Sequence, residues 1–312
     1  MEKIPMVVVA GPTATGKTEL AVSLAEKYNG EIIGADSMQV YDRLCVGTAR
    51  ATKEEMRGIP HHLVGFLDPK ESFSVAQYLP LAEQAAKKIV AKGKLPILCG
   101  GTGLYFSSLL DGIRYGETGE NEELRLKLQT EYETLGGEAL WQRLSLADPR
   151  AAEKIHPNNK QRLVRALELV ESGSSITSQN AASRSKESIF SPVCIACDFE
   201  EREIYWNRVA LRVEKMLASG LLEEAAWLFS YAPEGTAAQA IAYKECFPYL
   251  RGEDSLEHCK ERLIFATRQY AKRQRTWLRR DGRFSFCFAD RAENSQSFFE
   301  NVCKMVESQI VL

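Results

Sequence analysis

The sequence predicts an α/β protein in which a parallel sheet is covered by helices and interrupted by a helical insertion domain. Three observations carry that expectation. Between residues 5 and 110, short apolar runs alternate with amphipathic helical stretches, the pattern of strands buried on both faces by crossover helices. A turn of the form GxxxxGK(S/T) joins the first apolar run to the first helical stretch. Strand-like runs then stop near Ile113 and resume only at residue 192.

Taken in order, PMVVVA at 5–10 reads as a strand, Lys17 to about Tyr28 as a helix, and EIIGA at 31–35 as a second strand. A helix is expected over about Val75 to Ala91, a strand at LPILCGG, and another helix from about Gly103. ENEELRLKLQTEYETLG and NKQRLVRALELVESG are charged helical stretches, and the polar SGSSITSQNAASRSKES reads as a flexible exit. PVCIACD at 192–198 is a returning strand. Long helices over about 201–231 and 256–280, a late strand FSFCF and a C-terminal helix follow. The sheet unit is therefore discontinuous, 1–114 with 192–312, and 115–191 forms the insertion. No internal repeat is evident.

A chain of 312 residues, 45% apolar, suits two globular units or one with a large insertion, and argues against disorder. Forty Lys and Arg against 42 Asp and Glu give a formal charge of −2, which excludes a uniformly basic nucleic-acid coat protein but leaves room for a locally basic groove. The eight cysteines are scattered, as expected of reduced thiols in a cytoplasmic protein. Cys194 and Cys197 form a lone CxxC, read as two neighbours on a buried strand in preference to a redox or zinc site. The early apolar run Met6 to Ala10 is too short for a signal peptide or a membrane span, so a soluble, non-exported protein is expected, with no membrane partner.

The chemistry begins at the phosphate loop, Gly11, Pro12, Thr13, Ala14, Thr15, Gly16, Lys17 and Thr18. Its glycines let backbone N–H groups turn inward around a phosphate, and the helix N-terminus adds positive potential. Lys17 supplies an ammonium, and the Thr18 hydroxyl can hold Mg2+. ATP-cleaving proteins of this kind hold Mg2+ with a second acid at a neighbouring strand end. Here LPILC runs into Gly100, Gly101, Thr102 and Gly103, a second glycine turn that suits close approach of a bulky substrate. Asp36 ends the EIIGA strand at the sheet edge where ligands of such folds bind. With Ser37, Gln39 and Tyr41 it forms a polar cluster able to meet a base edge and take a proton. It also fits a helix cap at Asp36 or Ser37 with Met38 and Val40 in the core.

On a helix, Arg268, Lys272, Arg275 and Arg279 form a basic stripe, with Leu263, Ala266, Tyr270 and Trp277 roughly opposite. A second basic cluster is Lys160, Arg162 and Arg165. Both suit an RNA backbone, and both suit a solvated helix face.

In order along the chain, GPTATGKT, DSMQVY, GTA at 47–49, IPHHLVGFLDP, GGTGLY, DPRAAEKIHPNNKQRLVRALE, IAYKE and TRQYAKRQRTW resemble the tRNA dimethylallyltransferase (tRNA isopentenyltransferase) family. The matches run from residue 11 to about 280. Ala242 stands where the family usually has glycine, which fits if that backbone keeps a negative φ. No two-Cys, two-His finger follows the basic helix, so the chain is similar to the compact bacterial form. The resemblance implies a P-loop kinase-like fold and transfer of a dimethylallyl group from dimethylallyl diphosphate to N6 of the adenosine 3′ to the tRNA anticodon. It implies diphosphate and Mg2+ binding by Lys17 and Thr18, a general base or amine acceptor at Asp36, a substrate contact near the reacting carbon at Thr102, and leaving-group neutralisation by Arg212. It implies contacts with the tRNA anticodon stem-loop at Asp36, Ser37, Met38, Gln39 and Thr102, at Gln161, Arg162, Leu163, Val164 and Arg165, and at Lys272, Arg273 and Arg275. Base flipping and a monomeric enzyme are expected with it. A P-loop nucleoside or nucleotide kinase and a non-catalytic RNA-binding module are the rival readings.

Overall fold

Six strands form one parallel sheet in the order β3-β2-β4-β1-β5-β6, with β1 Ile4–Ala10, β2 Gly30–Ala35, β3 His61–His62, β4 Leu95–Gly100, β5 Phe190–Asp198 and β6 Phe284–Phe288. The structure, a computed structural model, describes residues 3–115, 122–173 and 187–310. Successive side chains of β1 alternate between faces, and both sets are buried. Val7, Val9, Ile97, Cys99, Ile195 and Cys197 pack beneath the helices Lys17–Lys27 and Ser295–Glu307. Met6, Val8, Ile33 and Leu98 are also fully enclosed. This two-sided burial is why the strands read as unbroken apolar runs.

The helices Val75–Ala91 and Gly103–Leu110 fall where expected, the first opened by a Ser74 capping box with Gln77. The expected stretch 201–231 is two helices, Arg202–Ala218 and Leu221–Tyr231, broken at Gly220, whose φ of 93° glycine adopts without strain. The short helix Lys53–Met56 and β3 carry too few residues to show a period and were not foreseen. Cys194 and Cys197 are indeed buried neighbours on β5.

The chain divides into two compact units, Met1–Leu110 with Ile189–Leu312, and Asp111–Ser188. In the second unit, the helices Glu122–Leu135, Gly137–Ala147, Pro149–Ala152 and Lys160–Glu171 enclose a core that includes Leu128, Leu140, Leu144, Leu163, Val164 and Leu167. Buried Glu168 is paired with Arg125 and Arg165. Residues 174–186 of the expected flexible exit lie outside the described residues.

Near the amino-terminal end of β2, Glu31 is 1% exposed and accepts hydrogen bonds from Lys92, Lys94 and His62. Burial would raise its pKa, but the hydrogen bonds from His62, Lys92 and Lys94 outweigh it and hold the carboxyl at about 2. A carboxyl depressed on folding stabilises the protein above its ordinary pKa, and that stability is lost as pH falls toward the folded value. Stability referred to a Glu31→Gln variant should therefore be flat above pH 5 and shrink by up to about 3 kcal/mol toward pH 2, measured by urea titration.

Candidate active site

Strand register brings the reactive loops together. Ala10 pairs with Gly100 on one side and Ala196 on the other, and Ala35 also pairs with Gly100. The phosphate loop, Asp36, the Gly101–Thr102 turn and Asp198 therefore leave one carboxyl edge of the sheet, as expected of a ligand site in an open α/β fold. Only glycine fits at 100, where a Cβ would lie 2.1 Å from the Ala35 carbonyl oxygen.

The phosphate loop has the conformation its composition implies. Gly16 (φ 86°) and Ala14 (φ 66°) are left-handed, and a Cβ on Gly11 would stand 2.6 Å from the Cys197 carbonyl oxygen. The Thr15 hydroxyl donates to Pro12 O at 2.8 Å, Lys17 Nζ donates to the same oxygen at 3.4 Å, and the Tyr205 hydroxyl donates to Thr13 O at 2.8 Å. Burial lowers the Lys17 pKa, and the positive charge of Arg212 lowers it further. Burial likewise lowers that of Arg212, with Asp36 opposing the shift. Two desolvated cations that repel each other are poised for an anion.

Two cavities meet at these cations, because Lys17, Arg212 and Met216 line both. The first, about 640 Å³, also takes in Gly16, Thr18 and the cations Arg50, Arg57 and Lys215, against the acids Glu19 and Glu55. The second, about 280 Å³, is lined by Asp36, Ser37, Gln39, Tyr270, Arg273 and Gln274 on its polar side, and by Met38, Val213, Leu221, Ile241 and Leu263 among its apolar walls. A cationic chamber thus opens beside one suited to a flat, partly apolar group with a hydrogen-bonding edge.

No helix begins at Asp36 or Ser37, so the helix-cap reading of Asp36 is not met; the carboxylate closes a turn instead. Its Oδ1 accepts from the Met38 N–H at 2.9 Å, which shapes a turn, while the residue lines the second cavity. Thr102 Oγ1 accepts from the Ser37 N–H at 3.0 Å, so the hydroxyl proposed to touch substrate also ties its loop to that of Asp36. Gln39 donates from Nε2 to Thr48 O and Ala49 O, and Met38 is packed against the apolar cluster of the helical layer.

Several groups that organise the site carried no sequence signal. Glu224 accepts from the backbone N–H groups of Cys45, Val46 and Gly47 at 2.7–3.0 Å and from the Tyr243 hydroxyl at 2.7 Å, fixing the loop that walls both cavities. In sequence it is an ordinary acid near the start of an amphipathic helix. Ala242 lies in the helix Ile241–Lys244 without a positive φ, which satisfies the condition set for replacing glycine.

Three expectations need correction. The second glycine turn makes room for the protein's own helix: Cβ atoms on Gly101 and Gly103 would lie 2.4 Å from the Gln274 amide nitrogen and 2.4 Å from the Trp277 ring. The helix Leu256–Arg280 does not present its four cations on one open face. Lys272 and Arg279 are exposed, as is Arg273, but Arg275 turns inward to buried Asp198, with Nε at 2.9 Å and Nη2 at 2.6 Å from Oδ1. Arg268 is half-buried, 5.5 Å from the Trp206 ring centre. On the helix Lys160–Glu171, Gln161 and Arg162 are exposed, but Leu163 and Val164 are core residues, because the apolar face of an amphipathic helix must fill its own domain. Lys160 is paired with Glu133 and Arg165 with Glu168.

The chain matches the IPP transferase family over residues 39–281 and the isopentenyl transferase family over residues 4–66. It is 41% identical over 311 residues to the tRNA dimethylallyltransferase of Thermoanaerobacter pseudethanolicus, covering 98% of this chain and 99% of that relative. The crystal structure of the full-length tRNA isopentenylpyrophosphate transferase from Bacillus halodurans is 36% identical and covers 99% of this chain and 98% of its own, with a TM-score of 0.72. That of a eukaryotic dimethylallyltransferase acting on tRNA is 30% identical and covers 88% and 70%, with a TM-score of 0.71. Matches that reach from the phosphate loop through the basic helix, with the same fold along nearly the whole length, establish that this chain belongs to the IPP transferase family.

Proposed function

We propose that the chain transfers the dimethylallyl group of dimethylallyl diphosphate to N6 of the adenosine 3′ to the anticodon in tRNA, releasing diphosphate. The observation that carries this reading is the wall shared by the two cavities. Lys17 and Arg212 face the cationic chamber where a diphosphate would sit, and they also border the chamber that holds Asp36. The N6 nitrogen forms its bond to C1 of the donor as the C1–O bond breaks, and the bonding pair leaves with the diphosphate. Lys17 and Arg212 stabilise the charge that grows on the leaving group, and Asp36 accepts the proton released from nitrogen. Thr102 holds the Asp36 loop and contacts the acceptor side. Because Asp36 lies inside a chamber, the adenine reaches it only when flipped from its stack.

Mg2+ fits this site. Thr18 lines the chamber next to Lys17 and carries a hydroxyl, and a hard cation of this kind binds through one or two protein oxygens completed by phosphate oxygens and water. When bound, it would neutralise charge on the diphosphate. A kinase reading is not favoured, because β4 ends in Gly100 where such enzymes place an acid, and the family match extends far past the phosphate loop. Among the described residues no helix is long and apolar enough to cross a membrane. Cytoplasmic tRNA as the substrate and a monomeric enzyme are part of the proposed reading. Incubation with dimethylallyl diphosphate, Mg2+ and an adenosine-containing anticodon stem-loop should raise the RNA mass by one C5H8 unit. A product carrying phosphate, or unmodified RNA, overturns the reading.

The RNA is expected to meet Gln161 and Arg162 of the insertion and Lys272 and Arg273 of the basic helix. Replacing Lys272 and Arg273 with Ala should flatten the dependence of log Kd on log salt by about 0.7 per lost phosphate contact and leave the melting temperature unchanged. Arg275→Ala should instead destabilise the fold by about 3–5 kcal/mol, since it abandons the carboxylate of buried Asp198. Salt titration and thermal melting of the same samples separate the two roles.

A further inference from the structure

We infer that Gln274 is a positioning residue that holds the donor loop in register with the acceptor side of the site, a role that rests on the prenyl-transfer reading above. Gln274 belongs to the helix Leu256–Arg280, is 7% exposed, and lines the chamber of Asp36. Its Oε1 accepts from the Thr13 N–H of the phosphate loop at 3.1 Å, and its Nε2 donates to Gly101 O at 2.9 Å. Gly101 precedes Thr102, whose hydroxyl accepts from the Ser37 N–H beside Asp36. A single side-chain amide therefore joins the loop that cradles the leaving group to the turn that steadies the proton acceptor.

The chemistry of that link demands glutamine. The position requires an acceptor toward Thr13 and a donor toward Gly101 at the end of one side chain. Glutamate offers only acceptors, and methionine of similar length offers neither. The backbone opposite is fitted to it, since any Cβ on Gly101 would lie 2.4 Å from Nε2. Transfer needs the diphosphate and the amine aligned across the shared wall, so loss of this link should leave each substrate bound but misaligned. A displacement near 1 Å costs about 10²-fold in rate.

Gln274→Met removes both hydrogen bonds, and Gly101→Ala pushes the amide away while leaving Gln274 in place, so neither variant alone has to carry the test. In both, kcat should fall about 10²-fold, with affinity for Mg2+–pyrophosphate and for an anticodon stem-loop each within about threefold of wild type. Hydrogen exchange at the Thr13 amide should accelerate in Gln274→Met. A residue serving only the fold would lower the melting temperature and keep kcat below the transition. Turnover within twofold of wild type in both variants, or unchanged protection of the Thr13 amide in Gln274→Met, overturns the proposal. Wild-type protein that adds no prenyl group to RNA overturns the functional reading instead, and the Thr13 exchange then decides the proposal by itself.

Discussion

Lys17→Ala is expected to lower kcat by roughly 10²- to 10³-fold, the usual effect of removing one preorganised group that stabilises charge developing in the transition state. The diphosphate gains negative charge as the carbon–oxygen bond breaks, so the ammonium acts more strongly there than on the bound donor. Stability should move the other way. Lys17 is desolvated and repelled by Arg212, and the hydrogen bond from its ammonium to Pro12 O is long at 3.4 Å. Without ligand the Ala variant should melt at or above the wild-type temperature, and Mg2+–pyrophosphate should raise its melting point less than it raises that of wild type. Turnover within twofold of wild type would remove the phosphate loop from the catalytic account.

Asp36 is expected to matter as much, and two variants separate its two jobs. Asp36→Ala loses both the proton acceptor and the turn closed by Met38 N–H. Asp36→Asn keeps an oxygen for that turn but takes no proton. Both should lose roughly 10²- to 10⁴-fold in kcat, and the Ala variant should melt lower than the Asn variant. Donor affinity should hold or improve, because Lys17 and Arg212 lose a competing negative charge. If Asp36→Asn turned over normally, the carboxylate would be a turn former alone.

Much of the fold and part of the site were legible in the sequence, for identifiable reasons. Strands buried on both faces, such as Met6–Ala10 and Leu95–Gly100, leave long apolar runs, and the helices between them keep their 3.6-residue period. The Gly11–Thr18 loop was readable because its shape is made by contiguous backbone, so its spacing along the chain is its geometry in space. Asp36 was readable as a strand-end acid, but whether it capped a helix or faced a substrate was open; no helix starts there, and Asp36 closes a turn at the edge of the second cavity instead.

By itself the sequence determined the α/β class, the place of the insertion, the phosphate loop and the family. Each of these rests on local pattern or on motifs in fixed order. Tertiary structure alone decided which cations stay open and which are consumed by the fold. Arg275 and Lys272 lie three residues apart on one helix, yet the first is drawn inward by Asp198 at the end of β5 and the second stays in solvent. The glycines at 101 and 103 hold places for Gln274 and Trp277, and Glu224 binds a loop nearly 180 residues earlier in the chain. Such pairings depend on long-range packing, in which partners remote in sequence meet only after the sheet and the long helix have docked. Periodicity and spacing describe neighbours along the chain and carry no record of them.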